Sequence, residues 1–349
     1  MSDIRCISPI DGSVVIARPP ARLAEAKAAI AGARAAQASW AARPLEDRIA
    51  PGISGREALG AMNGDIVPEL ARMMGRPVRY GGEFGGVEER IRHMALIAAD
   101  TLADIEVGED ASFRRYIRRV PHGVVFVVAP WNYPYMTAIN TIAPALIAGN
   151  AVVLKHATQT LLAGDRLAAA FHAGGVPEEL FVNLTLDHDT TSALIADGQF
   201  DFVNFTGSVG GGRAMEQAAA GTFTGVGTEL GGKDPGYVME DADLEAAVAT
   251  LVDAAMYNSG QCCCGIERIY VHASLYDSFV ERAVATVADY RLGNPLDQET
   301  TMGPMAHVRF AETVRQQTAA AIAAGATPHI AKMDADDGGA YVTPQLLTD

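Results

Sequence analysis

Between residues 124 and 230, short apolar runs alternate with amphipathic ones, and this alternation restricts the fold more than any other feature. VVFVVAP (124–130) precedes a helical pattern over about Tyr135–Ala148, and AVVLK (151–155) precedes one over about Leu161–His172. FVNLT (181–185) precedes a short helical pattern near Thr191–Ala196, and FDFVNFTG (200–207) precedes one over about Val209–Ala219. The strand-like runs are apolar on both faces and bounded by Gly and Pro. Strands of that kind, separated by helices, imply a parallel α/β sheet covered on both sides.

The flanks add to this unit. The first hundred residues read mainly as helix: an Ala-rich pattern over Pro20–Trp40 and another over Glu83–Leu102. Between them PGISGREALGAMNG carries Pro51, Gly52, Gly55, Gly60 and Gly64, which would break a helix, so the pattern there is undecided. SFRRYIRRVPHG (112–123) alternates like a strand or hairpin arm with a basic face. After residue 236 a second α/β pattern follows: the strand-like YVME, a helix over Asp243–Tyr257, the strand GIERIYVHA, and helices over Leu275–Tyr290 and about Ala306–Ala324.

A chain of 349 residues, 49% hydrophobic and 20% charged, is long enough for two domains. Its net charge of −15 argues against nucleic acid or an anionic membrane surface as partner. No apolar stretch is long enough to span a bilayer, and the N-terminus has no basic-then-apolar signal pattern. The four cysteines, Cys6 and the run Cys262, Cys263, Cys264, do not have the spacing of a disulfide framework. A reducing cytoplasmic location is therefore expected.

Five segments carry candidate chemistry. NSGQCCCGIERIYV (258–271) puts three cysteines on a loop feeding a strand, where one can act as a nucleophilic thiolate. The outer two read as small buried hydrophobes, and no metal site is expected, because adjacent cysteines do not offer spaced tetrahedral ligands. TELGGKDP (228–235) holds Glu229 beside Gly231 and Gly232; it reads as a general base or, taken alone, as a surface glutamate. APWNYPY (129–135) ends an apolar strand, so Asn132 is placed either to donate to an oxyanion or simply to make a turn. In VVLKHATQT (152–160) Lys155 closes a strand, where it can bond ribose hydroxyls or phosphate. In FTGSVGGGR (205–213) Gly207 and Ser208 open a helix with Gly212 in its first turn, a setting suited to a pyrophosphate though not the usual glycine fingerprint.

In order, PWNYP, VVLK, FTGS, ELGGK and GQCCC resemble the signature of the aldehyde dehydrogenase superfamily. SPIDGSVV, ARMMGRPVRY, NPLDQETTMGPM and YVTPQLL also look like family segments, so the resemblance runs from about residue 7 to the end. It implies an NAD(P)-dependent oxidation of an aldehyde to a carboxylic acid, with no nucleic acid or membrane partner. Cys263, two positions after Gln261, would be the nucleophile, Asn132 the oxyanion donor and Glu229 the base; a retained Glu229 favours hydrolysis over transfer to coenzyme A. Lys155 would bond the adenosine ribose, while Trp131, Thr158, Gly207, Ser208, Gly212 and Gly231 would line the cofactor cleft.

The implied fold is α/β: a Rossmann-like parallel-sheet cofactor domain over 1–102 and 122–231, an oligomerisation arm over 103–121, and a second α/β catalytic domain over 232–349, in a homodimer or homotetramer. Thr158 stands where many NAD-preferring members carry a glutamate, so both NAD and NADP are expected to serve, NAD slightly better. The chain lacks the family's later Glu-Ile-Phe-Gly-Pro segment, so it is expected to be C-terminally truncated relative to the family. A non-catalytic dinucleotide-binding remnant or assembly partner is the alternative expectation.

Overall fold

The structure is a computed structural model that describes residues 2–110 and 112–348. Strands β1 (Ile4–Ile7) and β2 (Val14–Arg18) pair with each other. Helices α1 (Leu23–Ala41), α2 (Leu45–Ala61), α3 (Asn63–Met74) and α4 (Phe84–Leu102) follow. β3 (Ile105–Asp110) and β4 (Phe113–Ile117) form an antiparallel hairpin. The alternating region contains β5 (Val124–Val128), α5 (Pro134–Ile147), β6 (Ala151–Lys155), α6 (Leu161–Ala173), β7 (Phe181–Asn183), α7 (His188–Ala196), β8 (Phe202–Gly207), α8 (Val209–Ala219) and β9 (Gly225–Leu230). The rest holds β10 (Asp234–Val238), α9 (Leu244–Met256), β11 (Ile266–Val271), α10 (Tyr276–Ala288), α11 (Val308–Ala323), and the short pair β12 (Thr327–Pro328) and β13 (Leu347–Thr348).

The chain divides into two compact units. The first comprises the residues up to Ile4, Arg18–Gly64 and Glu83–Leu230; the second comprises Arg5–Ala17, Asp65–Gly82 and the chain from Gly231 onward. Two early segments, 5–17 and 65–82, thus pack with residues far along the chain.

The first unit is built on a five-stranded sheet in the order β7-β6-β5-β8-β9, parallel throughout. Every residue of β5 and β6 is buried, as continuous apolar runs in a sheet covered on both faces require. Burying each such Val or Phe contributes about 1.5–3 kcal/mol. Phe126 stacks on Phe200 with ring centroids 4.2 Å apart, and the buried Trp40 donates its indole N–H to Leu146 O at 2.8 Å.

The segment that the sequence left undecided is helical. α2 runs through Pro51, Gly52, Gly55 and Gly60. Tertiary packing overrides propensity here, because the small residues let α2 meet α6 backbone to backbone. A Cβ on Gly55 would lie 3.2 Å from Phe171 Cα, and one on Gly174 would lie 2.3 Å from Gly55 N. The expected Ala-rich and 83–102 helices are α1 and α4, shifted by a few residues at their ends.

On the exposed β3–β4 hairpin, Arg114 pairs with Glu106 at 2.6 Å and Arg118 with Asp104 at 3.0 Å. Both guanidinium groups lie 5.0 Å from the Tyr116 ring centroid.

In the second unit β10 and β11 run parallel, and Val238, Val248, Val252, Phe279, Ala283, Val287 and Ile330 form its core. Gly75 (φ +82°) holds the 65–82 segment in place: a Cβ there would lie 2.2 Å from Pro304 O. Among the described residues no helix is long and apolar enough to cross a membrane.

Candidate active site

In the first unit the strand order places a topological switch point between β5 and β8. From β5 the chain moves outward through β6 and β7, then returns to the other side of β5 to form β8 and β9. In open parallel sheets ligands bind beyond the carboxyl ends of strands that flank such a reversal. The residues there are Trp131 and Asn132 after β5, and Gly207 and Ser208 at the end of β8. Lys155 closes β6 next door, in register with Val128.

Asn132 is half-buried, and its Oδ1 accepts the Tyr133 N–H at 3.1 Å. The side chain's acceptor is thus used locally, while its NH2 group is the donating end. Two buried groups the sequence did not single out hold the turn that follows. The Glu83 carboxylate accepts the N–H groups of Tyr135 (3.0 Å) and Met136 (2.8 Å), an anion on the positive end of the α5 dipole. His156 lies against Pro134 O at 3.0 Å through Nε2, and its Nδ1 accepts the Ala157 N–H at 3.0 Å. Nε2 therefore carries the proton in a neutral ring. Burial pushes the His156 pKa down to about 4, with the Lys155 charge acting in the same direction.

Lys155 is buried, and burial holds its ammonium below the usual lysine range while Asp187 opposes that shift. Among the described residues its ammonium makes no hydrogen bond or ion pair. Thr158, three positions on, is exposed in a short 3-10 turn. Ser208 caps α8 by accepting the Gly211 N–H at 3.2 Å. The Phe205 ring packs under the same turn, leaving no room for a Cβ at Gly207 (2.7 Å) or Gly211 (2.4 Å). Gly210 faces open space, and Gly212 is buried against Leu230. Glu229, the penultimate residue of β9, is exposed and in register with Thr206. Gly231, also exposed, begins the last segment of the second unit.

In the second unit the cysteine run follows three consecutive residues with positive φ: Asn258 (55°), Ser259 (57°) and Gly260 (72°). Only glycine enters that region without cost, and asparagine is the best tolerated of the rest. Side chains hold the loop there. Buried Asn258 accepts from Arg76 Nε at 3.2 Å and donates to Gln261 O at 3.3 Å. Gln261 donates back to Asn258 O at 3.1 Å and accepts the Ala306 N–H at 2.8 Å. Ser259 donates to Gly303 O at 2.9 Å. The Cys262–Gly265 turn then closes through Gly265 N–H to Cys262 O at 3.3 Å.

The outer cysteines differ from expectation. Cys262 is only half-buried and Cys264 is exposed, because a tight turn on the surface leaves no core for them to enter. The buried thiol is Cys6, whose pKa burial pushes up to about 12. Cys263 is exposed at the turn's centre. The thiols of Cys262 and Cys264 lie 3.3 Å apart, and this hydrogen bond, with burial and the neighbouring sulphurs, raises the Cys264 pKa to about 11. All three sulphurs lie within 4.8 Å of one another. Gly232, of the ELGGK segment, abuts the same turn: a Cβ there would lie 3.0 Å from Cys263 O.

Of the residues that sequence reasoning passed over, Asn258 carried a visible signal, an Asn-Ser-Gly run suited to left-handed backbone. Arg76, Glu83 and His156 carried none, since their roles arise from contacts with distant residues or with backbone.

The model of the aldehyde dehydrogenase family matches residues 1–349. Succinate-semialdehyde dehydrogenase [NADP(+)] of Mycobacterium avium (strain 104) is 32% identical over 99% of this chain and 74% of its own length. The solved structure of PnpE in complex with nicotinamide adenine dinucleotide superposes with a TM-score of 0.93 at 29% identity, over 99% of this chain and 72% of that one. Glyceraldehyde-3-phosphate dehydrogenase GapN from Methanocaldococcus jannaschii, complexed with NADP, gives 0.91 at 26% identity, over 99% and 76%.

Proposed function

The chain belongs to the aldehyde dehydrogenase family, and from that premise we propose that it oxidises an aldehyde to the carboxylic acid with NAD+ or NADP+ through a thioester on Cys263. The observation that carries this reading is the placement of Cys263: an exposed thiol at the centre of a turn whose approach is locked by Asn258 and Gln261.

The residues of the first unit fit a dinucleotide. Lys155 is a largely buried lysine at the carboxyl end of β6, placed to donate to ribose hydroxyls. The α8 N-terminus exposes backbone at Gly210 with no side chain in the way, as a pyrophosphate requires. Trp131, Gly207, Ser208, Gly212 and Gly231 line the cleft in this proposal. The neutral Thr158 admits either a 2′-hydroxyl or a 2′-phosphate, with NAD slightly preferred. When bound, the dinucleotide supplies the hydride acceptor.

The chain's own groups do the rest. The Cys263 thiolate attacks the aldehyde carbon, forming a C–S bond as the carbonyl electrons move to oxygen. Asn132 donates its amide to that oxyanion; one such donor is worth about 3–4 kcal/mol in acyl-transfer enzymes. Loss of hydride leaves an acyl thioester. Glu229 then removes a proton from water as the oxygen attacks the acyl carbon, and the C–S bond breaks to free the acid and the thiolate.

We further propose that the first unit is the cofactor domain, that the hairpin within 103–121 pairs with a neighbouring subunit of a homodimer or homotetramer, that the chain from 232 carries the catalytic nucleophile, and that the protein works in the cytoplasm. The family assignment supports the enzyme; no observation favours a non-catalytic dinucleotide binder. The test is reduced-cofactor absorbance at 340 nm with succinate semialdehyde, the substrate in the relative's name, and a panel of other aldehydes. Cys263→Ser is expected to abolish the signal, and a mutant rate equal to wild type would show that another group is the nucleophile.

A further inference from the structure

The Cys262–Gly265 turn holds more sulphur than a single nucleophile needs. Its three Sγ atoms lie within 4.8 Å of one another, with Cys262 and Cys264 at 3.3 Å. Metal–thiolate bonds are about 2.3 Å long, which places sulphurs around one ion about 3.7–4.0 Å apart. Movements of about 1 Å or less would bring all three onto one centre. The turn is already held by the Gly265 N–H to Cys262 O bond and, just before it, by Asn258 and Gln261. Little ordering cost remains for a ligand to meet.

The donor set determines the ion. Among the described residues the cluster contains only cysteine, with no carboxylate or imidazole. Oxygen-seeking Mg2+ and Ca2+ have nothing to bind. Zn2+ would need a water as its fourth ligand, whereas soft Cu(I) is satisfied by three thiolates alone. Contiguity, which denies these cysteines a spaced tetrahedral site, does not deny them a three-coordinate one.

We propose that Cys262, Cys263 and Cys264 form a three-sulphur site for one Cu(I) ion, and that its occupancy withdraws the Cys263 sulphur from attack on the aldehyde. Each Cu–S bond forms as an S–H bond breaks and its proton passes to solvent, with no change of oxidation state. The inhibitory half of the proposal rests on Cys263 being the nucleophile; the binding half does not.

The experiment titrates the reduced protein anaerobically with Cu(I) against a colorimetric Cu(I) chelator. The wild type is compared with Cys262→Ser, Cys264→Ser and the triple serine variant, and retained thiols are mapped by iodoacetamide. Wild type should hold one equivalent, each single variant should bind at least about tenfold more weakly, and the triple variant should hold none. Copper should protect all three cysteines from alkylation. Equal retention by wild type and triple variant, or retention of Zn2+ as tightly as Cu(I), would overturn the site. In the 340 nm assay one equivalent of Cu(I) should silence wild type but not the Cys262→Ser/Cys264→Ser double variant, each relative to its own copper-free rate. Undiminished turnover of copper-loaded wild type would overturn the inhibitory half. Copper binding as expected, together with a fully active Cys263→Ser, would leave the site standing and remove the catalytic reading instead.

Discussion

Arg76 and Asn258, 182 positions apart, meet in the interior of the second unit, where the Arg76 Nε donates to Asn258 Oδ1 at 3.2 Å. The bond holds a residue with left-handed backbone five positions before the proposed nucleophile. Loop strain and side-chain bonding are thus coupled at one asparagine, and substitution separates them. Asn258→Ala loses the bonds and adds left-handed strain, so it should cost about 2–4 kcal/mol in urea unfolding. Asn258→Gly loses the bonds but not the conformation and should recover roughly 1 kcal/mol of that loss. If the loop positions Cys263, both variants should lower kcat more than they change KM and slow iodoacetamide capture of Cys263. Equal stability of the two variants would show that backbone strain is not the controlling factor.

His156 predicts an acid-sensitive fold. Its folded pKa of about 4 lies below the ordinary histidine value of 6.5. The unfolded chain therefore binds the proton first, and stability falls as pH drops from about 6.5 through 4. The contribution is fully present above 6.5, and its loss is on the order of 3 kcal/mol at most. Urea midpoints at pH 7, 5.5 and 4.5 measure it. The fall should be shallower in His156→Gln, and an identical pH dependence would rule out this residue as the source.

Glu229→Gln should separate the two chemical halves of the reaction. With its base removed, the enzyme should release about one equivalent of reduced cofactor in a burst, then turn over 10²–10⁴-fold more slowly, roughly the contribution of a general base. Stopped-flow absorbance at 340 nm reads both phases. An unchanged steady rate would assign water activation to another group.

Thr158 is exposed at the turn after β6, and in the proposed cofactor site a carboxylate there would face the ribose 2′-position. Thr158→Glu should therefore cut kcat/KM with NADP+ by about tenfold or more while sparing or improving that with NAD+, through repulsion of the 2′-phosphate and a new bond to the 2′-hydroxyl. Ratios for the two cofactors, measured in parallel, test this. If the ratio does not move, the 2′-position lies elsewhere.

Much of the architecture was legible because it is local. Apolar runs of strand length followed by helical periodicity mark β5 through α8, and buried strands need that pattern wherever they lie. Helix α8 spans Val209–Ala219, as the periodicity indicates. The candidate residues at strand ends were legible for the same reason: a residue that closes a parallel strand lies on the ligand side of the sheet. α2 shows where this reasoning fails. Its proline and glycines weaken the local helical signal, and only the close approach of α6 explains why the helix persists.

From the sequence alone came the strands and helices from β5 to α8, the order of the chemical motifs and the family they resemble, all encoded in residues near one another in the chain. Tertiary structure decided what depends on distant partners: Glu83 on the first turn of α5, Arg76 beneath Asn258, and segments 5–17 and 65–82 joined to the second unit. It also decided that the three cysteines share a surface turn rather than a core. The physical reason is that periodicity records which face of an element avoids water, whereas hydrogen-bond partners and burial depend on which faces meet, and that is settled only when the whole chain packs.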